Sequence, residues 1–393
     1  MVRAFPIPPF SLTRARQLAG AVGDNTATSL TALLQEGLTV ADAMWLAKQG
    51  IAPYVRHRLR HSGLLPHLMP EVAARLTLGY SLSAVHETIQ HEGTLAGVLG
   101  TLASAGIEVV VLKGMAFAHT IYPAPHLRPK SDIDLWIPRQ QVSLAVEQLI
   151  AQGFRMGDAV NLERVGEWDS GEIPLVFGTT DAYRVELQFP PMRGLWAQQC
   201  AAIDHSAMWQ RAVPFTIEGQ PARVLSTADA LIHVAFHQAI NHQFTYPCWL
   251  RSLLDIHLLV THGAPQWENV VASAQVWRLQ SVTWTVLTLA HSLLGTPIPA
   301  EVLAQLAPHP TRQAMIRRLN LERTILEAHP SDYRLRRYAV QLALTDNPLD
   351  SVRLMTRALF PDTAWLRTRY PDQKSLRLPL HHWRRLVTTG NGK

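Results

Sequence analysis

Two aspartates, Asp132 and Asp134, stand one residue apart in the run Ser131-Asp132-Ile133-Asp134-Leu135-Trp136-Ile137, where polar and apolar side chains alternate as on a half-buried strand. Residues two apart on a strand project to one face, so the two carboxylates are forced together while Ile133 and Leu135 anchor the opposite face in a core. At ~4 Å and an effective dielectric of ~20, two like charges repel by roughly 4 kcal/mol. The pair therefore needs a bridging cation or a shared proton. Magnesium suits it, being a hard cation that takes oxygen ligands and commonly combines carboxylates with substrate phosphates. A second alternating run, Tyr183-Arg184-Val185-Glu186-Leu187-Gln188-Phe189, puts Arg184, Glu186 and Gln188 on one face. Glu186 is thus expected to supply the third acid of a two-ion magnesium site. In such a site one metal activates an acceptor hydroxyl, and the other holds a triphosphate and the departing pyrophosphate.

Other elements must position these acids. After Gly106 the β-branched run Ile107 to Leu112 predicts a buried strand, and Gly114 begins a short helix through Tyr122. The strand-to-helix turn at Lys113-Gly114 would offer backbone N–H groups and the positive helix end to an anion. Arg128 and Lys130, in the loop before the first aspartate, are expected to add positive charge there. Pro138 closes the aspartate strand, and a helix is predicted from Gln141 to Gln152, stopping at Gly153. Helical periodicity dominates before Ala105, in four or five short helices, and again after Ser226: Ala228 to Ile240, Trp249 to Thr261, Gln280 to Leu294 and Glu301 to Leu306. A last short helix is expected in the segment with Pro361, Pro371 and Pro379.

A D-x-D spacing alone occurs in many proteins, and it is the surrounding residues that give it weight. The run Val110-Val111-Leu112-Lys113-Gly114, then Tyr122-Pro123, Pro125, Leu127-Arg128 and Asp132-Ile133-Asp134-Leu135, resembles the signature of the NTP_transf_5-type uncharacterised bacterial nucleotidyltransferases, within the DNA polymerase β-like superfamily. The resemblance implies an α+β fold: a small mixed-sheet core over 106–225, between an N-terminal helical domain over 1–105 and a C-terminal helical, Arg-rich domain over 226–393. It implies transfer of a nucleoside monophosphate from an NTP, with ATP the default donor, to an acceptor hydroxyl or phosphate with release of pyrophosphate. Asp132 and Asp134 take the place of the metal ligands, and Lys113-Gly114 that of the superfamily's phosphate-binding Gly-Ser. Two departures stand out. Glu186-Leu187-Gln188-Phe189 replaces a third-acid strand that often reads Asp-Leu-His-Trp, and no serine hydroxyl accompanies Gly114. The favoured acceptor is a small molecule or peptide. The alternatives are a catalytically weak nucleotide- or partner-binding module and a toxin-like enzyme that modifies tRNA.

Composition sets outer bounds. The 393 residues, 47% hydrophobic and 17% charged, suffice for a sizeable core and two or three domains. Cys200 and Cys248 are the two cysteines, too few for a disulfide framework or a cysteine zinc site. No signal-peptide core and no run of ~18 apolar residues is present, so a cytoplasmic protein without a membrane span is expected. Net charge is +6, with 16 Lys and Arg against 7 Asp and Glu from Arg312 onward. That basic end suits either a polyanion such as RNA or a solvated arginine-rich surface. There is no Walker A loop, Gly-x-Gly-x-x-Gly or Gly-x-Ser-x-Gly elbow. His86 and His91 are five apart, about 140° around an α-helix, and cannot form a zinc-protease pair. His233, His237 and His242 read as core or acceptor-pocket histidines, Trp136 as core or a base-stacking platform, and Glu108 as a surface charge.

Overall fold

The computed structural model describes residues 10–24, 26, 28–88, 93–156, 171–177, 183–245, 248–327, 334–361, 363 and 366–367. His91 and the last helix expected near Pro371 and Pro379 lie outside the described residues.

Seven strands form one mixed sheet: β1 (Val110–Val111), β2 (Ile133–Trp136), β3 (Phe154–Met156), β4 (Glu172–Phe177), β5 (Tyr183–Gln188), β6 (Val213–Ile217) and β7 (Gln220–Val224). Their spatial order is β3-β4-β5-β2-β1-β7-β6. The centre is mixed, with β2 parallel to β5 and antiparallel to β1. The expected strand from Ile107 to Leu112 shortens to the two residues of β1. Val110 and Val111 pair with β2 on one side and β7 on the other, and both are fully buried. Leu112 still donates to Asp134 O at 3.0 Å, so the chain leaves β1 held against the aspartate strand.

Strands β3, β4, β6 and β7 lie beyond the sequence reading. β4 pairs with β5, and β6 turns to β7 through Glu218 and Gly219, both at positive φ, the geometry of a tight hairpin turn. Exposed Val213 and Pro214 weaken the apolar alternation of β6, and proline is tolerated there because β6 lies at the sheet edge.

Helices cover the sheet and the site. The predicted 141–152 helix is Val142–Ala151, and the helix after β1 is Lys113–Thr120. Those after β7 include Thr227–Phe236, Trp249–Gly263, Gln280–Leu294 and Ala300–Leu306, together with Trp267–Val276, which the sequence reading passed over. N-caps explain several starts: Thr39 and Asp42 form a reciprocal capping box, and Ser226 accepts from Asp229 N. Helices from the two ends of the chain pack together. Trp45 Nε1 donates to Leu326 O at 2.8 Å and Gln49 Nε2 to Ile325 O at 2.7 Å, and one apolar cluster runs from Ala15 to Leu354. Trp136 belongs to the core, 5% exposed and edge-on to Trp209 at 4.9 Å. Glu108 is exposed and faces Arg223 at 3.6 Å. Among the described residues no helix is long and apolar enough to cross a membrane.

Candidate active site

The parallel pairing of β2 and β5 sets Asp134 directly beside Glu186. Asp132 lies one residue before β2, and all three carboxylates line a single cleft of about 840 Å³. Strand alternation works as expected: Ile133 and Leu135 sink to 1% and 0% exposure on the far side. Crowding shows in the proton affinities. Burial pushes the Asp134 carboxyl up, the Lys113 ammonium opposes this, and Asp132 adds to it. Glu186 is pushed up to about 7 by burial, then by Asp134 and Asp132. Cations answer the acids: Lys113 Nζ lies 2.8 Å from Asp134 Oδ1, and Arg184 Nε 2.7 Å from Glu186 Oε1. Gln188, two residues beyond Glu186, donates its amide to Asp134 Oδ1 and fixes that carboxylate in place.

The Lys113-Gly114 turn is built for close approach. Lys113 adopts φ 45°, a left-handed conformation that a non-glycine residue holds only at a cost. This sharp turn delivers the chain into the helix Lys113–Thr120. A Cβ on Gly114 would sit 2.4 Å from Arg128 Nη1, so only glycine lets the guanidinium lie on the helix N-terminus. Arg128 is pinned there. Its Nη2 and Nε contact the Asp255 carboxylate at 2.7 and 3.2 Å, and Tyr122 donates to the same carboxylate at 2.8 Å.

Of the loop cations, Arg128 reaches the cleft and Lys130 does not. The Lys130 ammonium is buried in an ion pair with Glu87 and also donates to Pro125 O at 3.1 Å. Burial brings its pKa down to about 8 against the pull of Glu87. Two arginines that the sequence reading missed join the cleft. Arg193 pairs with Glu172, and burial brings it down to about 10. Arg251, on the helix Trp249–Gly263, donates Nη1 to Pro129 O at 2.8 Å, while its buried Nε has no hydrogen-bond partner. Arg251 has no carboxylate within ion-pair distance among the described residues. Its charge therefore adds to that of Arg128 along one side of the cleft. No local pattern marks Arg251, which lies 122 residues from the carbonyl it binds.

His237, His242 and Trp249 also line the cleft, with Tyr338, Gln341, Leu354 and Arg357 from the helices Arg334–Ala343 and Pro348–Leu359. His233 stays in the core at 1% exposure.

The mixed sheet thus gathers acids from adjacent strands beside a cationic strand-to-helix turn. Residues 43–295, more than half of the chain, match the family described as uncharacterised nucleotidyltransferase, and the chain belongs to that family. No curated protein matches it.

Proposed function

We propose that this protein is a magnesium-dependent nucleotidyltransferase that moves a nucleoside monophosphate from an NTP, ATP by default, onto a small-molecule or peptide acceptor. The observation that carries this reading is the convergence of Asp132, Asp134 and Glu186 on one cleft at the Lys113-Gly114 turn.

The donor set fits magnesium. Three carboxylates supply hard oxygen ligands, and burial followed by mutual repulsion raises the proton affinities of Asp134 and Glu186, a cost that a bound cation would offset. Among the described residues no three acidic, histidine or cysteine groups already stand at metal-binding spacing. Lys113 and Arg184 neutralise Asp134 and Glu186 instead. Magnesium usually takes only one or two carboxylates and completes its shell with substrate phosphates and water, so it does not require a preformed cage. Asp132, Asp134 and Glu186 would hold it, two ions being expected. Bound there, magnesium would supply Lewis-acid polarisation of the phosphate oxygens and a lower pKa at the acceptor oxygen.

The chain's own groups do the rest. Backbone N–H groups at Gly114 and the guanidiniums of Arg128 and Arg251 would bind the triphosphate. Lys113 would transfer its hydrogen bond from Asp134 to a phosphate oxygen as charge builds there. The acceptor oxygen attacks the α-phosphorus, an O–P bond forms, and the bond to pyrophosphate breaks with its electron pair leaving on pyrophosphate. The cleft volume suits small ligands. Helices from the basic C-terminal third wall it, and arginines there are engaged internally: Arg337 Nε donates to Gln243 Oε1 at 2.7 Å, and Arg336 Nη2 to Leu319 O at 2.9 Å. These features favour a small acceptor over RNA.

The test is incubation with each γ-labelled NTP and magnesium, with labelled pyrophosphate as the readout. Wild type is expected to release pyrophosphate, and Asp132→Ala and Asp134→Ala to lose at least about 100-fold. No pyrophosphate release with any NTP, together with nucleotide binding indifferent to both aspartates, would refute the enzyme reading and favour a binding module.

A further inference from the structure

His237 and His242 are five residues apart, a spacing that on an α-helix separates two side chains by about 140°. Here the helix Thr227–Phe236 continues as one wide π-helical turn, His237–Asn241, in which His242 N donates to His237 O at 3.3 Å. The wider turn swings His242 round onto His237. Their Nε2 atoms meet at 3.2 Å, with ring centroids 4.5 Å apart and planes crossed at 73°. Such single wide turns are rare inside α-helices and frequent at functional sites.

Both rings line the same cleft as the three carboxylates. The charges around the pair come from several elements. His237 is held well below the usual histidine range by burial, then by Lys113, His242, His233 and Arg193. Burial and Lys113 hold His242 down to about 4, Asp132 works in the opposite direction, and Arg337 adds to the lowering. Trp249 flanks His242 at 5.6 Å. The two rings are therefore neutral at neutral pH, and the N–H of one Nε2 meets the lone pair of the other; a hydroxyl seated against both nitrogens would take over that N–H and that lone pair.

Building on the nucleotidyltransferase reading above, we propose that the His237–His242 pair seats the acceptor's nucleophilic hydroxyl, with His242 taking its proton. His237 donates its N–H to the acceptor oxygen, and His242 accepts the proton as the oxygen bonds to the α-phosphorus and pyrophosphate departs. Of the two rings, His242 is the one at the C-cap of the helix, where the carbonyl end of the helix favours a cation. The proton then passes from His242 to solvent, restoring the pair. The wide turn exists, on this view, to converge two nitrogens that a regular helix would hold apart.

The test needs no identified acceptor. Water serves as the acceptor, ATP with magnesium as the donor, and pyrophosphate release as the readout. His242→Ala is expected to lower kcat about 100-fold, the usual contribution of a general base. Its KM for ATP should stay within about twofold, and added imidazole should restore part of the rate. A second measurement uses the side-chain nitrogen signals of His237 and His242 in the wild-type protein, titrated with magnesium and α,β-methylene-ATP. The bound triphosphate should raise the His242 pKa by about one unit or more, because its charge offsets Lys113. Nucleotide that binds without moving the His242 signals would overturn the proposal, as would a His242→Ala enzyme with wild-type kcat. In both cases the nucleotidyltransferase reading would still stand. Failure of the wild-type protein both to bind the analogue and to release pyrophosphate would remove that reading and this proposal together.

Discussion

Replacing Glu186 by glutamine is expected to stabilise the fold above neutral pH while abolishing activity. Glu186 is 8% exposed, and its carboxyl is pushed up to about 7 from an ordinary 4.5 by burial and by Asp134 and Asp132. A rise of that size means that ionising Glu186 in the folded chain costs about 3 kcal/mol more than in the unfolded chain. The sign follows from where the proton is held. Below about pH 4.5 the carboxyl is protonated in both states and carries no penalty. As pH rises from 4.5 through 7 the unfolded chain ionises first, and wild type loses stability relative to the glutamine variant. Above pH 7 the loss is complete. Arg184 recovers little, being half exposed on the surface side of its ion pair. Urea denaturation without divalent ions should therefore find Glu186→Gln more stable than wild type by about 1–3 kcal/mol at pH 8 and nearly equal to it at pH 5. Added magnesium should narrow the difference at pH 8, because only wild type gains the third carboxylate's share of binding energy. A variant less stable than wild type at pH 8, or a difference independent of pH, would refute the reasoning.

Two further outcomes separate the cradle from its supports. Gly114→Ala drives a methyl group into Arg128 Nη1, which the Asp255 pair keeps from swinging away. Calorimetric or urea unfolding should show a loss of about 1–3 kcal/mol, the usual range for overpacking, accompanied by weaker ATP binding in titration calorimetry. Lys130→Met leaves the buried Glu87 carboxylate without its ammonium. Unfolding experiments should show a loss of about 3–5 kcal/mol at neutral pH, with ATP affinity in the surviving folded protein unchanged; a selective loss of ATP affinity would return Lys130 to the phosphate site.

The two aspartates, the Lys113-Gly114 turn and Glu186 were legible because each is a local property. Strand alternation has a period of two, so Asp132 and Asp134 share a face wherever the strand lies, and β-branched residues before a glycine announce a strand-to-helix turn. Helices such as Gln280–Leu294 were equally readable, since apolar periodicity over 15 residues is a strong signal. What stayed hidden depends on contacts between distant segments. Lys130 and Arg128 sit two residues apart in one basic loop, yet packing gives Arg128 to the cleft and Lys130 to Glu87. Arg251 and Arg193 arrive from elsewhere in the chain, and Gln188 holds Asp134 through an amide. The clearest case is a pair of histidines. His237 and His242 are five residues apart, a spacing that diverges on an α-helix, and they meet because a single wide turn changes the angle. A sequence states the spacing of its side chains; only the packed backbone decides the angle between them.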